Sequence, residues 1–194
     1  MIGKLIHQLL RRAQFRLQTS SKVGEYEGIA LADLRERSDH FRTTLLAAIQ
    51  LLRATDPRRF ARVQREIAWI VNCTLPCPGA EYDGEFRMCR VDFEEPTATS
   101  DSQFAIGWWA CTLVHEATHG VVGRRGIIYA GDLRSRIERL CVREENRFLD
   151  RLSTTHPELA QELHRQYSAA EWEFAWRATP RELVSSLFRR LRNP

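Results

Sequence analysis

The 194-residue chain has no apolar run approaching the roughly 20 residues that a bilayer-spanning helix requires, so a helical integral membrane protein is not expected. Glycine (10) and proline (7) are too few for a collagen-like or low-complexity chain. Lysine is nearly absent: Lys4 and Lys22 stand alone among 29 basic residues, the rest being arginine. A GC-rich genome explains such a bias as readily as a binding surface does. The N-terminus lacks the shape of a signal peptide, because Arg11 and Arg12 interrupt its apolar stretch and no small-residue cleavage site follows. Five cysteines without an export signal read as reduced thiols, not a disulfide scaffold. A cytoplasmic location is therefore expected, with a non-standard export route left open.

What is present is an ordinary globular mixture, 43% hydrophobic and 28% charged. The net charge of +4 is unevenly spread. Residues 1–22 hold Lys4, Arg11, Arg12, Arg16 and Lys22 with no acid, and residues 177–194 hold five arginines against Glu182. The body between them is acidic. A nucleic-acid binder would carry its basic stripe across the body of the domain, so no nucleic-acid partner is expected.

Hydrophobic spacing predicts an amphipathic helix at the N-terminus through Ile2, Leu5, Ile6, Leu9, Leu10 and Ala13, broken at 20–24, and a long helix from about Ile29 to Arg53. Asp56-Pro57 is a capped helix start. Ile67–Leu75 is read as a strand and Phe86–Phe93 as its hairpin partner across a Pro/Gly turn. Caps within 97–102 precede an apolar helix from Phe104 that is expected to stop at Gly120, and Asp132 opens a third long helix to about Leu152. Two tail helices are expected, from Pro157 and from Pro180, the latter with a Thr179/Glu182 capping box. The expectation is one α+β domain, predominantly helical. N-terminal helices (1–62) precede a core (63–152) in which a small hairpin or sheet packs on two helices, and C-terminal helices (153–194) follow.

The chemistry concentrates in His115-Glu116-Ala117-Thr118-His119. Two histidines four apart project from one helical face and reach a single ion, while Glu116 is offset to polarise water instead of binding metal. Neutral imidazoles, a carboxylate oxygen and an open fourth position suit catalytic zinc, one per chain. The HEATHG segment, residues 115–120, resembles the zincin metallopeptidases. That resemblance implies a small sheet, an active-site helix and a following helix, with His115 and His119 as zinc ligands. It implies Glu116 as general base toward a zinc-activated water that hydrolyses a peptide bond.

The third ligand is open at this level. The residues after His119 lack the further histidine of metzincins, so a glutamate from the next helix, as in gluzincins, is the natural choice. On a wheel at 100° per residue, Glu138, Glu144 and Glu145 all fall within the apolar arc of residues 133–152, alongside Cys141. A carboxylate aimed at a core needs a partner or a metal. Glu138, 18 residues beyond His119, resembles one gluzincin spacing and is favoured. Glu145 or Glu144, ahead of Asn146-Arg147-Phe148, instead resembles the ImmA/IrrE-like peptidases. A salt bridge to Arg134 or Arg151 is the plain alternative for each.

Tyr129, His156, His164 and Tyr167 are candidates for oxyanion stabilisation. Cys73, Cys77 and Cys89 are read as thiols without a metal, Cys111 as packing behind His115, and Trp108-Trp109 as core. If Phe86–Phe93 is the sheet edge, its acidic surroundings (Glu81, Asp83, Glu85, Asp92, Glu94, Glu95, Asp101) imply a preference for basic peptides. The rival to a peptidase acting on peptide or protein substrate is a non-catalytic helical interaction protein. It would dock through basic N- and C-terminal helices on an acidic partner or a membrane surface.

Overall fold

The first helix, α1 (Ile2–Ser20), runs into a five-stranded sheet that the rest of the chain wraps. The structure, a computed structural model, describes residues 2–35, 38–76, 79–93, 102–130, 132–168 and 171–172. The elements after α1 are β1 (Lys22–Tyr26), β2 (Ile29–Asp33), α2 (Ser38–Thr55), α3 (Pro57–Glu66), β3 (Trp69–Asn72), β4 (Ala80–Asp83) and β5 (Met88–Val91). Three helices follow: α4 (Ser102–Arg124), α5 (Asp132–Leu152) and α6 (Pro157–Leu163). The chain is thus α+β and predominantly helical. The helix from Pro180, the caps at 97–101, Cys77 and the acids Glu94, Glu95 and Asp101 lie outside the described residues.

Strand order is β1-β2-β3-β5-β4, with β2, β3 and β5 parallel and the two outer strands antiparallel to their neighbours. This corrects two expectations. Ile29–Asp33 is a strand, not the start of a long helix. Its five residues are all buried, and a short apolar run covered on both faces carries no periodicity to separate strand from helix. The Glu27-Gly28 turn, with φ of 52° and 81°, closes it onto β1 in the left-handed geometry of a tight hairpin. Second, β3 and β5 are not a hairpin: they pair in parallel, Trp69 opposite Met88 and Asn72 opposite Val91. The antiparallel partner of β5 is β4, so Ala80–Asp83 is the sheet edge and the expected edge strand is internal.

Alternation along the strands sorts two cores. Ile29, Leu31, Ile70, Cys89 and Val91 join Phe41, Leu45, Ile49, Trp109 and Leu113 of α2 and α4 on one face. Ala32, Val71 and Met88 turn to the other, where Phe15 of α1 covers them with Trp69 and Phe86. Asp56 caps α3 as expected, accepting from the Arg59 amide at 3.0 Å. It also pairs with the Arg59 guanidinium at 2.5 Å and with Arg151 of α5 at 3.3 Å.

The expected acidic surface at the hairpin is largely consumed within the fold. Asp83 and Glu85 take Arg11, Asp92 takes Arg35 and Glu81 takes Arg90. No described helix is long and apolar enough to cross a membrane.

Gly120 does not stop its helix; α4 continues to Arg124. Its role is close approach: a Cβ there would meet Glu66 Cβ at 2.8 Å and the Tyr82 hydroxyl oxygen at 2.9 Å. Tyr82 in turn donates to the Glu66 carbonyl at 2.9 Å, so α3, β4 and α4 converge on the missing side chain. Gly120→Ala is expected to cost about 1–3 kcal/mol from overpacking, despite alanine's better helix propensity. Chemical denaturation of the two proteins measures it.

Candidate metal centre

The centre lies between α4 and α5, which run side by side after the short 125–131 connection. Twelve of the 23 residues of α4 are buried, as expected for a helix covered on most sides. His115 and His119 project from it toward α5, with side chains 14% and 15% exposed, so the pair is partly accessible and not sealed in the core. Glu138, Cys141 and Glu145 answer from one face of α5, spaced three and four residues apart.

The donor atoms converge. His119 Nε2 lies 3.1 Å from His115 Nε2, and the two Glu138 oxygens lie 3.2 Å from His115 Nε2 and 3.5 Å from His119 Nε2. Tyr129 donates its hydroxyl to Glu138 Oε1, and Arg134 Nε donates to that same hydroxyl at 3.1 Å. Glu138 Oε2 is buried, with the His115 ring nitrogen as its neighbour. Two ring nitrogens and a buried carboxylate therefore stand within 3.5 Å of one another, a donor set that could hold a divalent cation. Cys141 also belongs here: ligand atoms of His115, His119 and Cys141 all fall within 4.8 Å of one another.

Glu145 occupies the other side of His115, against Nδ1, while its second oxygen lies 3.5 Å from Arg165 Nε. Arg165 is fixed in turn. Asn146 brackets its backbone, donating to the carbonyl at 2.8 Å and accepting from the amide at 3.2 Å, and its guanidinium lies 4.5 Å over Trp108.

The electrostatics favour positive charge at His115. Burial alone would lower its pKa, but the hydrogen bonds that its ring donates to the Glu138 and Glu145 carboxylates push it up to about 10. His119 goes the other way, to about 4, through burial and the neighbouring His115 charge. The Glu116 carboxyl, buried and repelled by Glu138, Glu145 and Glu81, is pushed up to about 7, with His115 opposing. Burial pushes the Cys141 thiol far upward. Tyr129 also rises, from burial and from its bond to the Glu138 carboxylate.

Of the three glutamates singled out from sequence, the fold brings Glu138 to both histidines and Glu145 to one. Glu144 goes elsewhere, to Arg147 at 2.5 Å, Arg62 at 2.8 Å and Arg59 at 3.1 Å. Tyr129 joins the centre, its ring 5.2 Å edge-on from His119. The other oxyanion candidates have different neighbours: His156 meets Thr155, His164 lies 3.9 Å from Asp150, and Tyr167 packs on Trp172. Cys111 is buried one turn before His115, and Trp109 is fully buried against Phe93. The residue that sequence reasoning missed as a candidate donor is Cys141. Its signal was its place on the α5 wheel, one turn from Glu138 and one turn from Glu145.

Glu144 tests the electrostatic side of this interface apart from the histidines. Burial raises its carboxyl, but hydrogen bonds from Arg62 and Arg147, with the Arg59 charge, hold it below the ordinary value of 4.5. A depressed carboxylate contributes stability that is present above its unfolded value and lost as pH falls through the folded one. Glu144→Gln is therefore expected to lose about 1–3 kcal/mol at pH 7, and the gap between variant and parent to close as pH falls below 4.5. Urea unfolding across that range checks both.

No family model, curated protein or solved structure matches this chain, so the meaning of the centre rests on its residues and their geometry.

Proposed function

We propose that the protein is a zinc-dependent peptidase of the zincin type, with one metal per chain held by His115, His119 and Glu138. The observation that carries this reading is the closeness of the donor groups: the two histidine Nε2 atoms stand 3.1 Å apart, with Glu138 Oε2 3.2 Å from that of His115 and Oε1 3.5 Å from that of His119. Two ligands about 2.0–2.1 Å from a shared tetrahedral zinc stand roughly 3.3 Å apart. The burial of Glu138 supports it, because a carboxylate in such a place is costly unless positive charge meets it, and its oxygens face the two histidine nitrogens.

Zinc, when bound, supplies a Lewis acid and lowers the pKa of water at its open position toward about 7. The chain's own residues do the rest. Glu116, buried on α4 beside His115, takes a proton from attacking water and returns it to the leaving amine. Glu145 holds Nδ1 of His115, which fixes the ring and leaves Nε2 facing the centre. Tyr129 holds one Glu138 oxygen and thereby aims the other at the histidines. Substrate would be peptide or protein. The basic-peptide preference has lost its premise, since the described acids of the hairpin are paired within the fold.

Metal content by mass spectrometry, with cleavage of a peptide library, tests the reading. The expected result is about one zinc per chain in the parent, in Glu116→Gln and in Cys141→Ser, and its loss in His115→Ala and Glu138→Ala. Glu116→Gln is expected to lose hydrolysis by at least about 100-fold. Glu145→Gln is expected to keep zinc with affinity about 10–100-fold weaker, read by chelator competition. A parent that takes up no zinc after zinc-replete expression or on titration overturns the reading. The non-catalytic interaction protein makes the opposite demand, that Glu116→Gln keep full function. Half of its docking surface, residues 177–194, lies outside the described residues.

A further inference from the structure

Helix α1 rests on the sheet by its less apolar side. Phe15 is the anchor, stacked on Phe86 at 4.6 Å and edge-on to Trp69 at 6.1 Å. One turn earlier Arg11 pairs with Asp83 at 2.5 Å and Glu85 at 3.2 Å, its guanidinium 5.3 Å over Phe86. With that face turned inward, the aliphatic face turns out. Leu5, Ile6, Leu9, Leu10 and Leu17 are 59%, 52%, 57%, 64% and 69% exposed. At about 1.5 Å per residue the stripe runs some 18 Å along the helix. Arg12 and Arg16 are exposed beside it, and the helix contains no acid.

An aliphatic stripe of this kind marks an interaction surface. We propose that α1 docks the protein on an anionic lipid surface. The helix lies in the membrane plane, its apolar stripe at the headgroup–acyl boundary and Arg12 and Arg16 among lipid phosphates. Two features choose a membrane over a second copy of the chain. The five side chains expose on the order of 500 Å², short of the roughly 800 Å² that each partner buries in a stable dimer. Two copies meeting by this face would also gather arginines without an acid on either helix, whereas an anionic surface compensates them. The inference does not depend on the metal or the peptidase reading. It has a consequence for the centre all the same. Arg11 ties α1 to the β4–β5 turn, and β4 reaches α4 through Tyr82 at Gly120, so docking orients the histidine helix against the lipid surface.

Flotation of the full chain with two kinds of vesicle tests this: phosphatidylcholine alone, and phosphatidylcholine mixed with phosphatidylglycerol. The protein is expected to float with the mixed vesicles and weakly with the neutral ones. Leu9→Glu with Leu10→Glu is expected to reduce partitioning at least about ten-fold, and Arg12→Gln or Arg16→Gln about five-fold each. These positions are exposed, so thermal unfolding monitored by circular dichroism should be unchanged; Leu17→Glu repeats the test at the far end of the stripe should the double variant fail to fold. Absence of flotation with anionic vesicles, equal binding to neutral ones, or binding indifferent to the leucine substitutions overturns the proposal. So does a dimer, by light scattering, that Leu9→Glu with Leu10→Glu dissolves, which would give the face to a second copy.

Discussion

Three carboxylates on α5 point into a packed interface, and the way each is compensated organises the molecule around them. An isolated carboxylate in such a place costs several kcal/mol, so each must find a cation or a set of donors. Glu144 gathers Arg59, Arg62 and Arg147, and so binds α5 to α3. Glu145 reaches His115 on α4 and Arg165 beyond α6. Glu138 receives the Tyr129 hydroxyl on one oxygen and sets the other 3.2 Å from His115 Nε2. The first two carboxylates have fixed counter-charges. The third is compensated by the Tyr129 hydroxyl and the two imidazoles.

The position of the histidines is set from the other side of α4. Gly120 lets the helix lie against Glu66 of α3 and Tyr82 of β4, and Arg124 one turn later pairs with Glu66 at 2.8 Å. The sheet, α3 and α4 therefore share one contact point. From there α4 carries His115 and His119 toward α5. Backbone pairing thus fixes β4, β4 fixes the end of α4, and α4 fixes the two imidazoles. The amphipathic α1 is tied to the β4–β5 turn through Arg11, and its aliphatic face is exposed among the described residues.

Local chemistry was readable wherever it was self-sufficient. Asp56-Pro57 capped a helix because the cap needs nothing from outside its own turn. The helix opened by Asp132 and running to about Leu152 followed from its start signal and the residues after it. His115, Glu116 and His119 share one buried helix because four residues bring a side chain back to the same face. The strand pairs were not readable in this way. Parallel pairing of β3 with β5 depends on where β4 folds back, and no local pattern in Trp69–Asn72 or Met88–Val91 carries that. The full burial of Ile29–Asp33 erased the alternation by which a strand is known, leaving an apolar run that reads as helix.

By itself the sequence determined the class of the domain, the helix that bears the histidine pair, and the short list of buried glutamates. It did so because helical periodicity and the cost of burying charge are properties of single segments. Only the tertiary structure divided those glutamates among partners, with Glu138 and Glu145 at the histidines and Glu144 at the arginines. It also turned Cys141 toward the centre, made Ala80–Asp83 the edge and spent the hairpin's described acids on Arg11, Arg35 and Arg90. The physical reason is that a wheel gives the direction a side chain leaves its own helix. What it meets there depends on residues brought in from distant parts of the chain by packing.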